Sequence, residues 1–212
     1  MTTTQRYSRN FHSINKRNDF DRKQLQLNIV SFNNNALEVE LVNLQYDQQR
    51  STKFKQLIAT ISCYVAYRTL AAIVGKNITS QDTNWTKIAL TDVAFLCLLV
   101  SLINSTMQLI KSEKLLVCQD FALQLQTLWF LSRKSSVFMP SAHIYDVRIN
   151  EVIEDLDVHY ILILRTKASL FLKKPIVPIF NRLKPQVDCL DIVYRYLKQI
   201  LNKKQDFTKE TQ

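Results

Sequence analysis

Two long apolar segments in the middle of the chain, Leu57–Val74 and Ile88–Ile110, constrain its fold more than any other feature. As helices they would extend about 27 Å and about 34 Å, close to the roughly 30 Å hydrocarbon core of a bilayer. Arg68 and Asp92 lie inside them, and a charge at mid-membrane costs on the order of 2.5 kcal/mol or more. We predict a two-helix membrane hairpin over residues 57–110. A buried hairpin in a soluble protein is the alternative.

The charges that flank the two apolar segments predict their orientation. Basic residues stand on both outer flanks, whereas the short connector carries two lysines and one aspartate. Because cytosolic flanks carry an excess of Lys and Arg, this pattern places both chain ends in the cytosol. The lysines on the outer flanks are Lys53, Lys55, Lys111 and Lys114.

Arg68 and Asp92 are candidates for an intramembrane pair. If the hairpin closes within residues 75–87, the helical rise places the two charges at similar depths. Membrane charges are tolerated mainly when they pair or face a protein interior. We therefore predict that the two side chains meet across the hairpin, or that each meets a polar group of a partner subunit. Snorkelling of both toward the headgroups is the alternative.

The N-terminal segment, residues 1–56, is predicted to be cytosolic. Residues 1–24 are rich in Thr, Ser, Asn, Arg and Lys without a sustained period, which is typical of a flexible tail. Residues 25–29 and 37–41 alternate apolar and polar on either side of three consecutive asparagines. That pattern predicts two short strands joined by an Asn-rich turn.

Residues 111–203 read as short strands closed by one helix, with a flexible tail over residues 204–212. Pro185 suits the first turn of that helix, whose apolar residues form a single stripe. We predict an α+β fold, with the membrane hairpin followed by a pleckstrin-homology-like antiparallel β-barrel or sandwich and a C-terminal α-helix. The predicted strands are Leu115–Cys118, Phe121–Leu131, Val137–Met139, His143–Ile149, Val158–Leu164, Ser169–Leu172 and Val177–Phe180.

Glycine and cysteine usage excludes several kinds of site. Gly75 is the single glycine in 212 residues, so no Gly-rich phosphate loop or dinucleotide-binding turn can form. The cysteines make no CxxC pair or metal-ligand spacing, and we interpret them as small buried apolar residues. They are Cys63, Cys97, Cys118 and Cys189.

No catalytic motif surrounds the histidines or the single acidic cluster. The chain has no HExxH, HxE or GxSxG sequence. Glu151, Glu154, Asp155 and Asp157 could supply a carboxylate pair for glycosyl chemistry, but a solvated hairpin loop is the simpler interpretation. We therefore expect no catalytic residue, no cofactor and no metal in this chain.

A basic cluster brackets the apolar run of residues 175–180. The formal net charge of +10 favours an anionic partner, either lipid headgroups or nucleic acid. Nucleic-acid binding would need interleaved stacking aromatics or a recognition motif, so we expect no nucleic acid. The cluster is predicted to contact the membrane surface or a partner, with a solvated sheet edge as the equal alternative. Its members are Lys173, Lys174, Arg182 and Lys184.

Four stretches of the last third resemble one family in their order and residues. They are Glu113-Lys-Leu-Leu-Val117, Ile144–Ile153, Val177-Pro-Ile-Phe180 and Arg182–Leu190. The chain thus resembles the PIG-H subunit family of the phosphatidylinositol N-acetylglucosaminyltransferase complex. That resemblance implies a non-catalytic subunit in the endoplasmic reticulum membrane, where the complex transfers GlcNAc from UDP-GlcNAc to phosphatidylinositol in the first step of GPI anchor biosynthesis.

The resemblance also implies the partners. A PIG-A-type glycosyltransferase subunit would perform the sugar transfer, and other subunits and membrane lipids would surround this chain. The alternative from another functional class is a free-standing, membrane-anchored adaptor that binds phosphoinositides.

Overall fold

The computed structural model describes residues 4–13, 23–32, 35–77, 84–119, 121–154, 157–167 and 175–209. Its helices and antiparallel sheets confirm the predicted α+β class. The chain divides into two compact units. Residues 46–109 form one unit, and residues 1–45 together with residues 110–212 form the other.

The larger unit contains a six-stranded antiparallel sheet. Its strands are β1 (Thr4–His12), β2 (Gln24–Phe32), β3 (Ala36–Asn43), β4 (Ile110–Cys118), β5 (Ala122–Trp129) and β6 (Lys134–Pro140). They pair in sequence order, β1-β2-β3-β4-β5-β6. β2 and β3 confirm the two strands predicted near the N-terminus.

β1 corrects the prediction of a flexible tail for the part of residues 1–24 that it covers, Thr4–His12. It pairs with β2 along its whole length, from Thr4 opposite Phe32 to His12 opposite Gln24. Phe11 is its one fully buried side chain, so most of the strand has no apolar alternation to detect. Backbone hydrogen bonds to a neighbouring strand stabilise such an edge strand, and a local sequence pattern does not report them.

The same unit contains a second, three-stranded antiparallel sheet and the last helix. The strands β7 (Ile144–Glu154), β8 (Asp157–Thr166) and β9 (Ile176–Ile179) pair in that order. Helix α3 (Val187–Lys209) confirms the predicted C-terminal helix. The two sheets do not join into a closed barrel within the described residues. The strand predicted at residues 169–172 lies outside them.

One hydrophobic core joins both sheets to α3. Alternate residues of the strands point inward, as the period-two pattern requires. Leu27 pairs with Leu41 across β2 and β3, and both are fully buried. The stripe of α3 buries Leu190, Val193 and Leu197 against this core, as predicted.

The smaller unit consists of α1 (Tyr46–Asn77) and α2 (Asn84–Met107). Both helices are long and apolar enough to cross a membrane: an 18-residue window within Tyr46–Ile73 has a mean hydropathy of 1.2, and Leu90–Met107 has one of 1.7. Of the residues in these two 18-residue windows, 0% and 6% are buried, so neither window has the burial of a core helix. α1 begins eleven residues before the predicted segment, because its i→i−4 backbone hydrogen bonds continue through polar residues that an apolar pattern does not detect.

Candidate functional site

The structure brings Arg68 and Asp92 together across the hairpin. Nη1 of Arg68 on α1 lies 3.2 Å from Oδ2 of Asp92 on α2. The hydroxyl of Tyr64 donates a 2.7 Å hydrogen bond to Oδ1 of the same aspartate. The ring of Tyr64 also stacks on Phe95, with the ring centroids 3.9 Å apart. One carboxylate of α2 therefore accepts hydrogen bonds from two side chains of α1.

Sequence reasoning missed Tyr64. Tyr64 and Arg68 are four residues apart, which places them on one face of α1. This four-residue spacing is the sequence feature that could have identified Tyr64. It indicates that any partner of Arg68 on the facing helix also lies within reach of the phenol.

A second polar contact lies near the other end of the hairpin. Nζ of Lys53 donates to Oγ of Ser105 over 2.9 Å. Closer to the connector, the hydroxyl oxygens of Tyr67 and Thr91 are 3.5 Å apart. Interhelical hydrogen bonds of this kind contribute about 0.6 to 2 kcal/mol in membranes. Together with the Asp92 cluster they define how the two helices align.

The predicted basic cluster is described only in part. Lys173 and Lys174 lie outside the described residues. Arg182 is exposed in the loop between β9 and α3, and its guanidinium carbon lies 5.4 Å from the centre of the Trp129 ring. Lys184 is half-buried, and its N–H donates to the carbonyl of Phe180 over 3.1 Å.

Two residues of this loop adopt left-handed backbone conformations. Phe180 has a φ of 54° and Lys184 a φ of 44°. Non-glycine residues rarely occupy this region, because the side chain crowds the backbone. Tertiary contacts must therefore hold the loop in place.

Glu113 supplies one such contact. This side chain is buried on β4, where its Oε2 accepts a 3.1 Å hydrogen bond from the N–H of Leu183. Burial raises the pKa of Glu113 to about 7, although the N–H groups of Leu183 and Arg182 and the charge of Arg182 act against the increase. The sequence pattern that could have identified this residue is the alternation of β4. Glu113 lies on the same, inward face of the strand as Leu115 and Val117.

A cleft of about 290 Å³ adjoins this contact. Its walls come from β4, β5 and β6 on one side and from β9 and the following loop on the other. Leu125 and Val137 supply apolar surface, and Lys114 and Arg182 supply positive charge. Lys114 forms an ion pair with Glu38 at 2.6 Å, so one of the two cations is already neutralised.

The cysteines correct one expectation. Cys189 is buried, and burial raises the pKa of its thiol to about 12, so it is an unreactive core residue. The other three, Cys63, Cys97 and Cys118, are exposed. Two of these lie on the apolar helices, where a small apolar side chain needs no protein core around it.

The remaining candidate chemistry is sparse. In the part of the chain that the structure describes, no three His, Cys, Asp or Glu residues are grouped to hold a metal ion. His159 is buried on β8. Of the acidic cluster, the side chain of Glu151 is described, and it accepts a hydrogen bond from the cross-strand Tyr160, which raises the pKa of that phenol.

Comparison with known proteins points to one family. Residues 114–181 match the family model described as "GPI-GlcNAc transferase complex, PIG-H component". These residues begin on β4 and end just after β9. No solved structure matches the chain.

Two relatives are named as the same component of one enzyme. The H subunit of phosphatidylinositol N-acetylglucosaminyltransferase from Bos taurus is 33% identical over 100 residues, and that from Homo sapiens is 31% identical over 100 residues. Each alignment covers 43% of this chain and 50% of the relative. The chain thus spans about half the length of the curated relatives it matches.

Proposed function

We propose that this chain, whose residues 114–181 match the PIG-H family model, belongs to that family and is a non-catalytic subunit of the complex that transfers GlcNAc from UDP-GlcNAc to phosphatidylinositol. The observation that carries the proposal is the match of these residues, together with relatives named as the H subunit of the same transferase. In this proposal the chain acts in the first step of GPI anchor biosynthesis.

The membrane hairpin supplies the location in this proposal. α1 and α2 insert into the endoplasmic reticulum membrane with both chain termini in the cytosol, which the flanking lysines support. Chain connectivity then holds the sheet-containing unit at the cytosolic surface. Tethering raises the local concentration of a partner at that surface without any chemistry by this chain.

The fold of the sheet-containing unit in this proposal is a pleckstrin-homology-like sandwich. Four consecutive strands, β3 to β6, are followed by the three strands β7 to β9 and then by α3. This order supports the assignment. The strands β1 and β2 would be an addition to that core at the edge of its larger sheet.

The partners are the catalytic glycosyltransferase, of the PIG-A type, and other subunits of the complex. The cationic cluster of Lys173, Lys174, Arg182 and Lys184 would contact the anionic membrane surface or one of these subunits. The exposure of Arg182 supports such a contact. Residues 111–203 would form the unit that carries it.

A membrane assay tests the proposal. Microsomes from cells that lack this protein should fail to transfer radiolabelled GlcNAc from UDP-GlcNAc to phosphatidylinositol, and the full chain should restore the transfer. The purified chain should transfer no sugar by itself, because the chemistry belongs to a partner. The same chain, extracted in mild detergent, should co-purify with a glycosyltransferase.

Two outcomes contradict the proposal. Sugar transfer by the purified chain would show that it is catalytic. Normal transfer in microsomes without the protein, together with recovery of the chain without a glycosyltransferase, would favour the free-standing phosphoinositide-binding adaptor.

A further inference from the structure

A groove of about 570 Å³ lies between β7 and α3, away from the loop and cleft described above. Val147 and Ile149 of β7 form one wall, and Tyr194 and Leu201 of α3 form the other. A volume of this size suits a ligand of several residues, since binding pockets span about 300–1,000 Å³.

The strand beside the groove has an open edge. β7 pairs with β8 over its length and is the outer strand of its sheet, and no other described strand pairs with it. It is eleven residues long and contains neither proline nor lysine, although it carries the charged residues Asp146, Arg148, Glu151 and Glu154. The backbone N–H and C=O groups on the outer side of β7 are therefore available to an added strand.

The charges around the groove are predominantly positive. Arg148 and Lys198 line the groove together with Asp146 and Asp191, and two further cations, Arg165 and Arg195, pair with these carboxylates. Both carboxylates are neutralised within the protein: Asp146 by Arg148 at 2.8 Å and by Arg165 at 3.5 Å, and Asp191 by Arg195 at 2.6 Å.

Lys198 lines the groove without an ion pair to any described carboxylate. Its ammonium lies 5.5 Å from the centre of the Tyr194 ring, and no carboxylate among the described residues lies within ion-pair distance. The groove therefore combines apolar walls, an open strand edge and a surplus of positive charge.

We propose that this groove binds an extended, acidic peptide segment of another protein, which adds to β7 as a further strand. Strand addition places the peptide backbone on the open edge while alternate side chains enter the pocket. The groove is lined by the consecutive residues 145–149, so about five residues of peptide, roughly 17 Å, are seated.

The surplus of positive charge favours an acidic peptide over a second copy of the chain as the occupant of the groove. A second copy of the chain would bring an equal surplus of positive charge to this edge, which is less favourable than a segment of opposite charge. An acidic segment instead gains favourable electrostatic interactions with Arg148 and Lys198. The inference rests on β7, α3 and these charges, and it does not require the proposed transferase function.

Synthetic peptides test strand addition directly. The full chain in detergent is titrated into a fluorescein-labelled hexapeptide, acetyl-Glu-Val-Glu-Val-Glu-Val-amide, and binding is followed by fluorescence anisotropy. Two further versions carry N-methyl groups on either the odd or the even residues. Because an added strand uses the N–H groups of one edge only, one methylated version should lose binding and the other should retain it.

Variants locate the site. Arg148→Glu and Lys198→Glu should each weaken binding roughly threefold to tenfold, as expected for reversal of an exposed charge. Lys134→Glu is the matched control, because it reverses an exposed cation on the edge strand of the other sheet, and its affinity should not change. Unchanged thermal unfolding of all three variants verifies that they fold.

Any of four results overturns the inference. These are no binding of the acidic peptide, equal binding of a peptide with lysine in place of glutamate, equal binding of both methylated versions, and an undiminished affinity in both groove variants. A dimer detected by light scattering and abolished by Arg148→Glu would assign the edge to a second copy instead.

Discussion

The N–H of Leu183 donates to Oε2 of Glu113 over 3.1 Å, and this bond joins the loop before α3 to the centre of the six-stranded sheet. Seventy residues separate the two partners in sequence. The carboxyl group is buried, so the contact is sensitive to the protonation state of Glu113. The donor, Leu183, immediately precedes Lys184, one of the two loop residues with a left-handed backbone conformation.

The stability of the protein should depend on pH through Glu113. Its pKa in the folded state is about 7, above the ordinary value of 4.5, so the folded state retains a proton that the unfolded state has lost between these values. The protonated group thus stabilises the fold fully below pH 4.5, and this contribution disappears as the pH rises through 7. The loss is on the order of 3 kcal/mol.

The variant Glu113→Gln should remove this dependence, because a neutral amide can still accept the N–H of Leu183. Thermal unfolding at pH 5 and pH 8 measures it: the wild-type protein should lose stability relative to the variant at the higher pH. Glu40→Gln, on the neighbouring strand and half-buried, is the control and should follow the wild-type protein. Parallel curves for wild type and Glu113→Gln would refute the prediction.

Truncation of the α3 stripe should destabilise the sheet-containing unit. Leu197 has no exposed surface, and Leu197→Ala should cost about 2–5 kcal/mol, through lost burial and the cavity left behind. Gln199→Ala changes an exposed position of the same helix and should cost less than about 0.5 kcal/mol. Denaturant unfolding monitored by tryptophan fluorescence compares them, and equal midpoints would show that Leu197 does not support the core.

Reversal of the hairpin charges should impair assembly. Arg68→Asp places two carboxylates side by side, and Asp92→Arg removes the acceptor of both Arg68 and Tyr64. The double swap restores the ion pair but leaves Tyr64 beside a guanidinium, so rescue should be partial. The measurement is the amount of folded protein extracted in detergent and the fraction recovered with partner subunits. Comparison of the single variants Arg68→Asp and Tyr64→Phe separates the contribution of the ion pair from that of the tyrosine hydrogen bond. A double swap no better than the single variants would contradict a direct pair.

The proposed topology predicts which residues a membrane-impermeant thiol reagent reaches. In a chain whose natural cysteines are replaced by serine, Gln5→Cys and Gln205→Cys should react on sealed microsomes. Ser80→Cys, in the connector, should react only after permeabilisation. Protection of either terminal position on sealed microsomes would overturn the orientation.

Several features of this protein were determined by local sequence. The apolar length of the hairpin helices, the alternation in β2 and β3, and the stripe of α3 each depend on residues a few positions apart. The periods of 3.6 and 2.0 arise from backbone geometry, so a sequence reports them before any tertiary contact forms. The regular helical rise likewise places Arg68 and Asp92 at similar distances from the hairpin turn, which predicted that they could meet.

Tertiary structure decided the rest. β1 has almost no apolar alternation, and it is a strand because β2 offers hydrogen-bonding partners. Glu113 acquires its raised pKa from burial beneath a loop seventy residues away, and Tyr64 joins Asp92 because two helices align. The β7–α3 groove exists because an open edge and a distant helix pack side by side. Each depends on which surfaces meet across long sequence separations, and a local period carries no record of that choice.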